Sequence, residues 1–147
     1  GKVKGRKVAL TTTNGTKAIQ LSKSAKQLYI GSFANLKALV DQLAGREEDV
    51  LLVCAGWKDK FNLEDTLFAG AVVNVLRKDF VHFDDACVAA EDMYVLAKDD
   101  LRGYLKKSSH NHRLEQLNIE EDVKFCLKVD MCKVIPVLEG ERLIPLL

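Results

Sequence analysis

The sequence predicts an α/β domain, and three observations carry that prediction. Three times in the first half a short apolar run of strand character leads through a turn into an amphipathic segment: Val8 to Thr11, Leu28 to Ile30, and Val50 to Cys54. That alternation is the rhythm of a parallel sheet with helical crossovers. The second half is helical in period until Val134 to Leu138 and Arg142 to Leu146, which flank Glu139-Gly140-Glu141 and predict a C-terminal β-hairpin. Finally, 147 residues with 48% hydrophobic content suit one compact domain with a sizeable core.

Taken in order, the first unit runs from Val8 into Thr11-Thr12-Thr13-Asn14-Gly15-Thr16, and a short helix over Thr16 to Lys23 with Ala18, Ile19 and Leu21 as its apolar residues. In the second unit Ser32 is the expected N-cap of a helix over Ala34 to Ala44, in which Leu36, Leu39, Val40 and Leu43 recur at spacings of three and four, and Gly45 ends it. The third passes through the loop Ala55 to Phe61 into the strongest helical pattern, Asn62 to Lys78. Its face is Leu63, Leu67, Ala71 and Val75, its cap Asn62, and Glu64 and Asp65 fall in its first turn. Asp84 is expected to cap one long helix reaching about Leu105. Ser109 is expected to cap a short helix through Leu114 and Leu117, and a further helix covers Ile119 to Val129. Pro136 and Pro145 must occupy edge or ladder-free positions of the hairpin.

Charge and cysteine content narrow the function classes. With 22 basic and 21 acidic side chains the formal net charge is +1, which argues against a nucleic-acid footprint or a polybasic membrane surface. No apolar run approaches the roughly 20 residues of a membrane span. Cys54, Cys87, Cys126 and Cys132 lie in or beside apolar runs without CxxC pairing, so buried thiols in a reducing, cytoplasmic compartment are expected and zinc is disfavoured.

Two turns and one helix start hold the candidate chemistry. In the first, a Thr-rich strand-to-helix turn exposes backbone N–H groups and hydroxyls that suit an anion, so Thr12, Thr13, Asn14, Gly15 and Thr16 are phosphate-cradle candidates; alternatively Thr13 or Asn14 only caps the helix. Ser32 and Asn35 occupy the equivalent turn of the second unit and are either substrate-binding or capping. Glu64 and Asp65 are candidate ligands for a hard divalent cation, set against ordinary helix-dipole chemistry. Because neighbouring helical residues diverge by about 100°, Glu64 is preferred and Asp65 is an alternative capping-box partner. His110, beside Ser108 and Ser109, is a candidate general acid or a capping residue, while His82 and His112 read as surface residues. Arg113 suits a carboxylate or sulfonate, or is simply solvated. Cys54 reads as packing, since no arginine follows it in a phosphate loop; Trp57 and Phe61 suit a site wall or a subunit contact.

Several segments, in one order and spacing, resemble the 2-phosphosulfolactate phosphatase family: Thr11 to Thr16, Gly31-Ser32-Phe33-Ala34-Asn35, Val53-Cys54-Ala55-Gly56, Phe61 to Thr66, and Ala69-Gly70-Ala71. Ser108-Ser109-His110, Arg113-Leu114, Glu121 to Cys126, Val129-Asp130 and Val134 to Leu138 continue the likeness. The resemblance implies a three-layer α/β/α fold and a magnesium-dependent phosphomonoester hydrolase of coenzyme M biosynthesis that converts 2-phosphosulfolactate to sulfolactate and phosphate. His110 and Glu64 would then be catalytic, Glu64 and Asp65 would ligate Mg²⁺, and the small anionic phosphoester would sit on Thr12 to Thr16, Ser32, Asn35 and Arg113.

One departure accompanies the likeness. Family members carry an acidic strand motif of the type V-I-D-V-L-R-A-T before the Thr-rich turn, and this chain has no equivalent. The resemblance is therefore to the C-terminal part of the family fold. It implies a fragment that pairs with a missing N-terminal half or forms a homo-oligomer, and that is either an enzyme inactive alone or a non-catalytic anion-binding or assembly module.

Overall fold

The computed structural model describes residues 4, 5, 7–9, 12, 14–82, 84–108 and 120–146. In chain order these form α1 (Gly15–Leu21), a single 3₁₀ turn (Phe33–Asn35), α2 (Leu36–Leu43), α3 (Leu63–Leu76), α4 (Asp85–Ala97), α5 (Leu101–Leu105), α6 (Glu120–Cys126), β1 (Ile135–Glu139) and β2 (Arg142–Leu146). The fold is mixed α/β with a C-terminal antiparallel hairpin. Thr11, Thr13 and the expected helix begun by Ser109, with His110, His112 and Arg113, lie outside the described residues.

Local chemistry explains most helix starts. The Asn62 side chain accepts from the N–H groups of Glu64 and Asp65 at 2.8 and 3.4 Å, so two otherwise orphaned donors at the start of α3 are satisfied. Ser32 and Asn35 form a reciprocal capping box, which tightens the entry to α2 into a 3₁₀ turn and moves the helix start to Leu36. The long helix expected from Asp84 is two helices. Asp84 caps α4 by accepting from Cys87 N–H at 2.9 Å, but Asp100 turns its carboxylate onto Gly103 N–H at 2.8 Å and starts α5. An acidic side chain that can cap competes with helix continuation, and here the cap wins.

The core joins the apolar faces of α2 and α3 with Phe33, Ala97, Leu105 and Ile135. Leu67, Val72 and Leu105 are its largest fully buried side chains, each contributing about 2 kcal/mol through removal from water. Phe33 and Phe68 meet edge to face with centroids 5.5 Å apart. Helices α3 and α4 approach so closely at Gly70 that a Cβ there would stand 1.9 Å from the Ala90 carbonyl oxygen.

Strand pairing differs from expectation. The ladder among the described residues is antiparallel: β1 pairs with β2 from Ile135 opposite Leu146 to Glu139 opposite Arg142. Residues 28–30 join β1 on its other side, also antiparallel, through a Tyr29 to Val137 bridge, with Ile30 N–H donating to the Pro136 carbonyl at 2.8 Å and Leu138 N–H to the Leu28 carbonyl at 2.9 Å. Pro136 and Pro145 face each other in the register. The Pro136 carbonyl points away from β2 toward Ile30, so neither proline is asked for an N–H in the hairpin ladder. Residues 50–54 belong to no ladder among the described residues, and Leu51 and Val53 are 85% and 51% exposed.

The cysteines also differ from expectation: all four are free, but Cys54, Cys126 and Cys132 are exposed and Cys87 is half-buried. Just after α6, Leu127 packs against the core while Cys126 at the helix end does not. His82 is likewise more than a surface residue. Its imidazole lies 3.6 Å from Glu91, whose buried carboxylate also meets Arg77 at 3.3 Å and accepts from the Asn74 amide at 2.9 Å.

Candidate active site

A cleft of about 540 Å³ opens where the first turns of α1, α2 and α3 approach one another, and α6 closes it on a fourth side. Its polar rim brings together Gly15, Ser32, Cys54, Glu64, Asp65 and Asp122, with Ile19, Phe68 and Leu127 among the apolar lining. Three of the segments singled out in the sequence thus meet, through Gly15, Ser32 and the Glu64-Asp65 pair. The fourth contribution is Asp122 in the first turn of α6; it lies in the family-like segment Glu121 to Cys126, but the acidic run Glu120-Glu121-Asp122 by itself reads as helix-dipole chemistry.

At the α1 turn the hydroxyls act on the helix itself. Thr12 Oγ1 accepts from Thr16 N–H at 3.0 Å and lies 2.7 Å from Thr16 Oγ1, so Thr12 caps α1. Asn14, at the N-cap position, makes no side-chain cap bond. Its amide instead donates to the Gly56 carbonyl at 2.9 Å. Thr13, the other cap candidate, lies outside the described residues.

At the second turn Asn35 is buried and its amide group is committed to backbone. The carboxamide oxygen accepts from Ser32 N–H at 2.8 Å, and the NH₂ donates to the Ile30 and Val134 carbonyls at 3.2 and 3.1 Å. Such an amide, fully engaged, fixes the turn that presents exposed Ser32 to the cleft. Asp130 braces the same turn from outside: its N–H donates to the Phe33 carbonyl at 2.9 Å and its carboxylate accepts from Lys37 N–H at 2.6 Å.

At the third, Glu64 and Asp65 both line the cleft. Asp65 does not complete a capping box with Asn62; its Oδ2 accepts from Gly56 N–H at 2.7 Å. Gly56 has φ +70°, and a Cβ there would come 2.6 Å from the Lys60 carbonyl oxygen. Trp57 and Lys60 close a two-residue hairpin with reciprocal 3.0 Å bonds, and Lys58 and Asp59 take left-handed conformations at its tip.

Cys54 lines the cleft as a thiol. Partial burial of its sulfur and the Asp65 carboxylate push its pKa up, and a hydrogen bond with Thr66 only partly opposes them. A nucleophilic cysteine needs the opposite shift.

Whether the site suits magnesium follows from its donors. Mg²⁺ takes one or two protein carboxylates and completes its shell with water and phosphate oxygens. Glu64 on the cleft wall fits that demand, whereas no cluster of three or more His, Cys, Asp or Glu side chains among the described residues forms an all-protein cage.

Comparison with known proteins agrees with the motifs that meet here. The family model for 2-phosphosulpholactate phosphatase matches residues 1–141. A protein of Thermotoga petrophila named probable 2-phosphosulfolactate phosphatase is 42% identical over 137 residues, covering 93% of this chain and 59% of its own length. Proteins of the same name from Caldanaerobacter subterraneus and Clostridium acetobutylicum are 37% and 32% identical, over 95% and 91% of this chain and 58% and 57% of their own. The chain thus spans under three fifths of the length of these curated relatives. With residues 1–141 of its 147 inside the family match, the chain belongs to the 2-phosphosulfolactate phosphatase family.

Proposed function

We propose that this chain forms the substrate cleft of a phosphomonoester hydrolase that cleaves 2-phosphosulfolactate, or a closely related small anionic phosphoester, to the alcohol and inorganic phosphate. The observation that carries the reading is the convergence of Gly15, Ser32 and Glu64, from three separate helix starts, on one cleft in a chain of this family.

In the reaction, a water oxygen bonds to phosphorus while the bridging P–O bond breaks. The electron pair leaves on the sulfolactate oxygen, which takes a proton. Gly15, held in the α1 turn that Thr12, Thr16 and Asn14 fix, would hold phosphate oxygens through its N–H and Ser32 through its hydroxyl. Asn35 would act by fixing the Ser32 turn. Glu64 would orient the attacking water or hold Mg²⁺, which when bound supplies charge neutralisation on the transferring phosphoryl group. His110 as proton donor and Arg113 as partner of the sulfonate or carboxylate complete the assignment, on a segment outside the described residues. The wider setting we propose is a cytoplasmic, three-layer α/β/α enzyme of coenzyme M biosynthesis.

A second reading, an anion-binding or assembly module, is favoured by the exposure of Leu21 and Leu51, at 74% and 85%, which leaves apolar surface for a second copy or another chain to cover. Phosphate release from 2-phosphosulfolactate, with and without EDTA, separates the two. EDTA-sensitive turnover that falls at least about 100-fold in Glu64→Gln supports the enzyme. Calorimetric binding of phosphate and sulfolactate without turnover supports the module, and metal-independent turnover rejects the role given to Glu64 as metal ligand.

A further inference from the structure

We propose that Asp65 is a positioning residue, which sets the α1 turn against the start of α3 through Gly56, and is not a metal ligand. The proposal rests on the hydrolase reading and assigns a different task to the second carboxylate of the Glu64-Asp65 pair.

The geometry joins three segments through one residue. Asp65 Oδ2 holds the N–H of Gly56 at 2.7 Å, and the Asn14 amide holds its carbonyl at 2.9 Å. Both polar groups of Gly56 are therefore gripped, one from α3 and one from the α1 turn. Asp65 lines the cleft with Gly15, Ala55 and Glu64, the chain neighbours of Asn14, Gly56 and Asp65, so the chain of bonds starts in the cleft wall and runs into the structure behind it. A charged acceptor makes the Gly56 bond stronger than a neutral one. Gly56 itself is irreplaceable, because its φ of +70° and the nearby Lys60 carbonyl leave no room for a side chain. Glu64, one residue earlier, points about 100° away around the helix and is the carboxylate assigned to the reaction.

The experiment compares wild-type protein, Asp65→Asn and Asp65→Ala by 2-phosphosulfolactate hydrolysis across a magnesium titration, together with amide hydrogen exchange at Gly56. The Asp65→Asn substitution retains an acceptor for Gly56 N–H but supplies only a poor ligand for a hard cation. The expected result is a turnover within about threefold of wild type and an unchanged magnesium midpoint for Asp65→Asn. Asp65→Ala should raise KM about tenfold and speed Gly56 exchange about tenfold. A magnesium midpoint raised as much by Asp65→Asn as by Asp65→Ala overturns the proposal, since a ligand would behave so. If no variant hydrolyses the ester, the hydrolase reading fails; the exchange data still judge the tie, and equal Gly56 exchange in all three proteins overturns it.

Discussion

Arg77 and Glu91 meet at 3.3 Å across the α3 and α4 junction, the guanidinium largely in solvent and the carboxylate buried. Asn74 and His82 occupy the rest of that carboxylate's surroundings. The asymmetry sets unequal costs. Glu91→Ala leaves the Asn74 amide and the His82 imidazole without their carboxylate at a packed interface and should cost about 3 kcal/mol, whereas Arg77→Ala should cost about 1 kcal/mol or less because water already screens it. Urea unfolding of the two variants checks the ratio; equal losses would show that the pair acts as an ordinary surface bridge.

Gly70 is where α3 and α4 touch through backbone. A methyl group there would overlap the Ala90 carbonyl oxygen, so Gly70→Ala should destabilise by about 3 kcal/mol despite the higher helix propensity of alanine. Thermal unfolding provides the measurement. A gain in stability would mean that the two helices separate freely.

Asn62 offers a smaller and more local loss. Its oxygen serves two N–H groups, and Asn62→Ala should cost about 1 kcal/mol, while Asn62→Asp should be near neutral. Chemical denaturation resolves the difference, and equal stability of Asn62→Ala and wild type would deny the cap.

Cys54 should react as a reluctant thiol. Its raised pKa keeps it protonated beyond the pH at which an ordinary cysteine becomes thiolate, so alkylation should accelerate only at higher pH than for a free cysteine peptide. A pH profile of iodoacetamide labelling, followed by peptide mass, tests this. The same shift has a stability sign. The neutral thiol is the form the folded state favours, so this contribution is present below the ordinary thiol pKa and is lost as pH rises through and above it.

Leu51 and Leu21 should make the isolated chain associate. Light scattering at about 50 µM should give a mass above the monomer, and Leu51→Glu should lower it. A monodisperse wild-type monomer would count against the second copy proposed above as the cover of these residues.

What the sequence made legible was local. Asn62, Ser32 and Asp84 cap their helices because each cap is decided within three residues, and the hairpin around Gly140 needs only its turn and two apolar flanks. What it hid was long-range. Asn14 looked like a helix cap, but its partner is Gly56, 42 residues on. Asp130 braces Lys37 across 93 residues, with no local pattern to announce it. Residues 28–30 have strand character in sequence, yet the direction of their pairing was set by β1 near the other end of the chain. The helix break at Asp100 depends on a side-chain cap to Gly103 N–H that helical periodicity on both sides conceals. In the cleft, Gly15, Ser32 and Glu64 meet without the parallel sheet that the repeated turn and helix pattern predicts, since the ladder among the described residues is antiparallel, and Asp122 arrives through the tertiary placement of α6.

The facing prolines of the hairpin also give the sheet a direction of growth. Since Pro136 aims its carbonyl toward residues 28–30, the register requires Pro145 to aim its nitrogen at the outer side of β2, where a further strand would look for an N–H and find a pyrrolidine ring. That flank is closed to templated addition. Strand addition at β2 therefore meets a missing donor, while the opposite side of β1 is already occupied by residues 28–30.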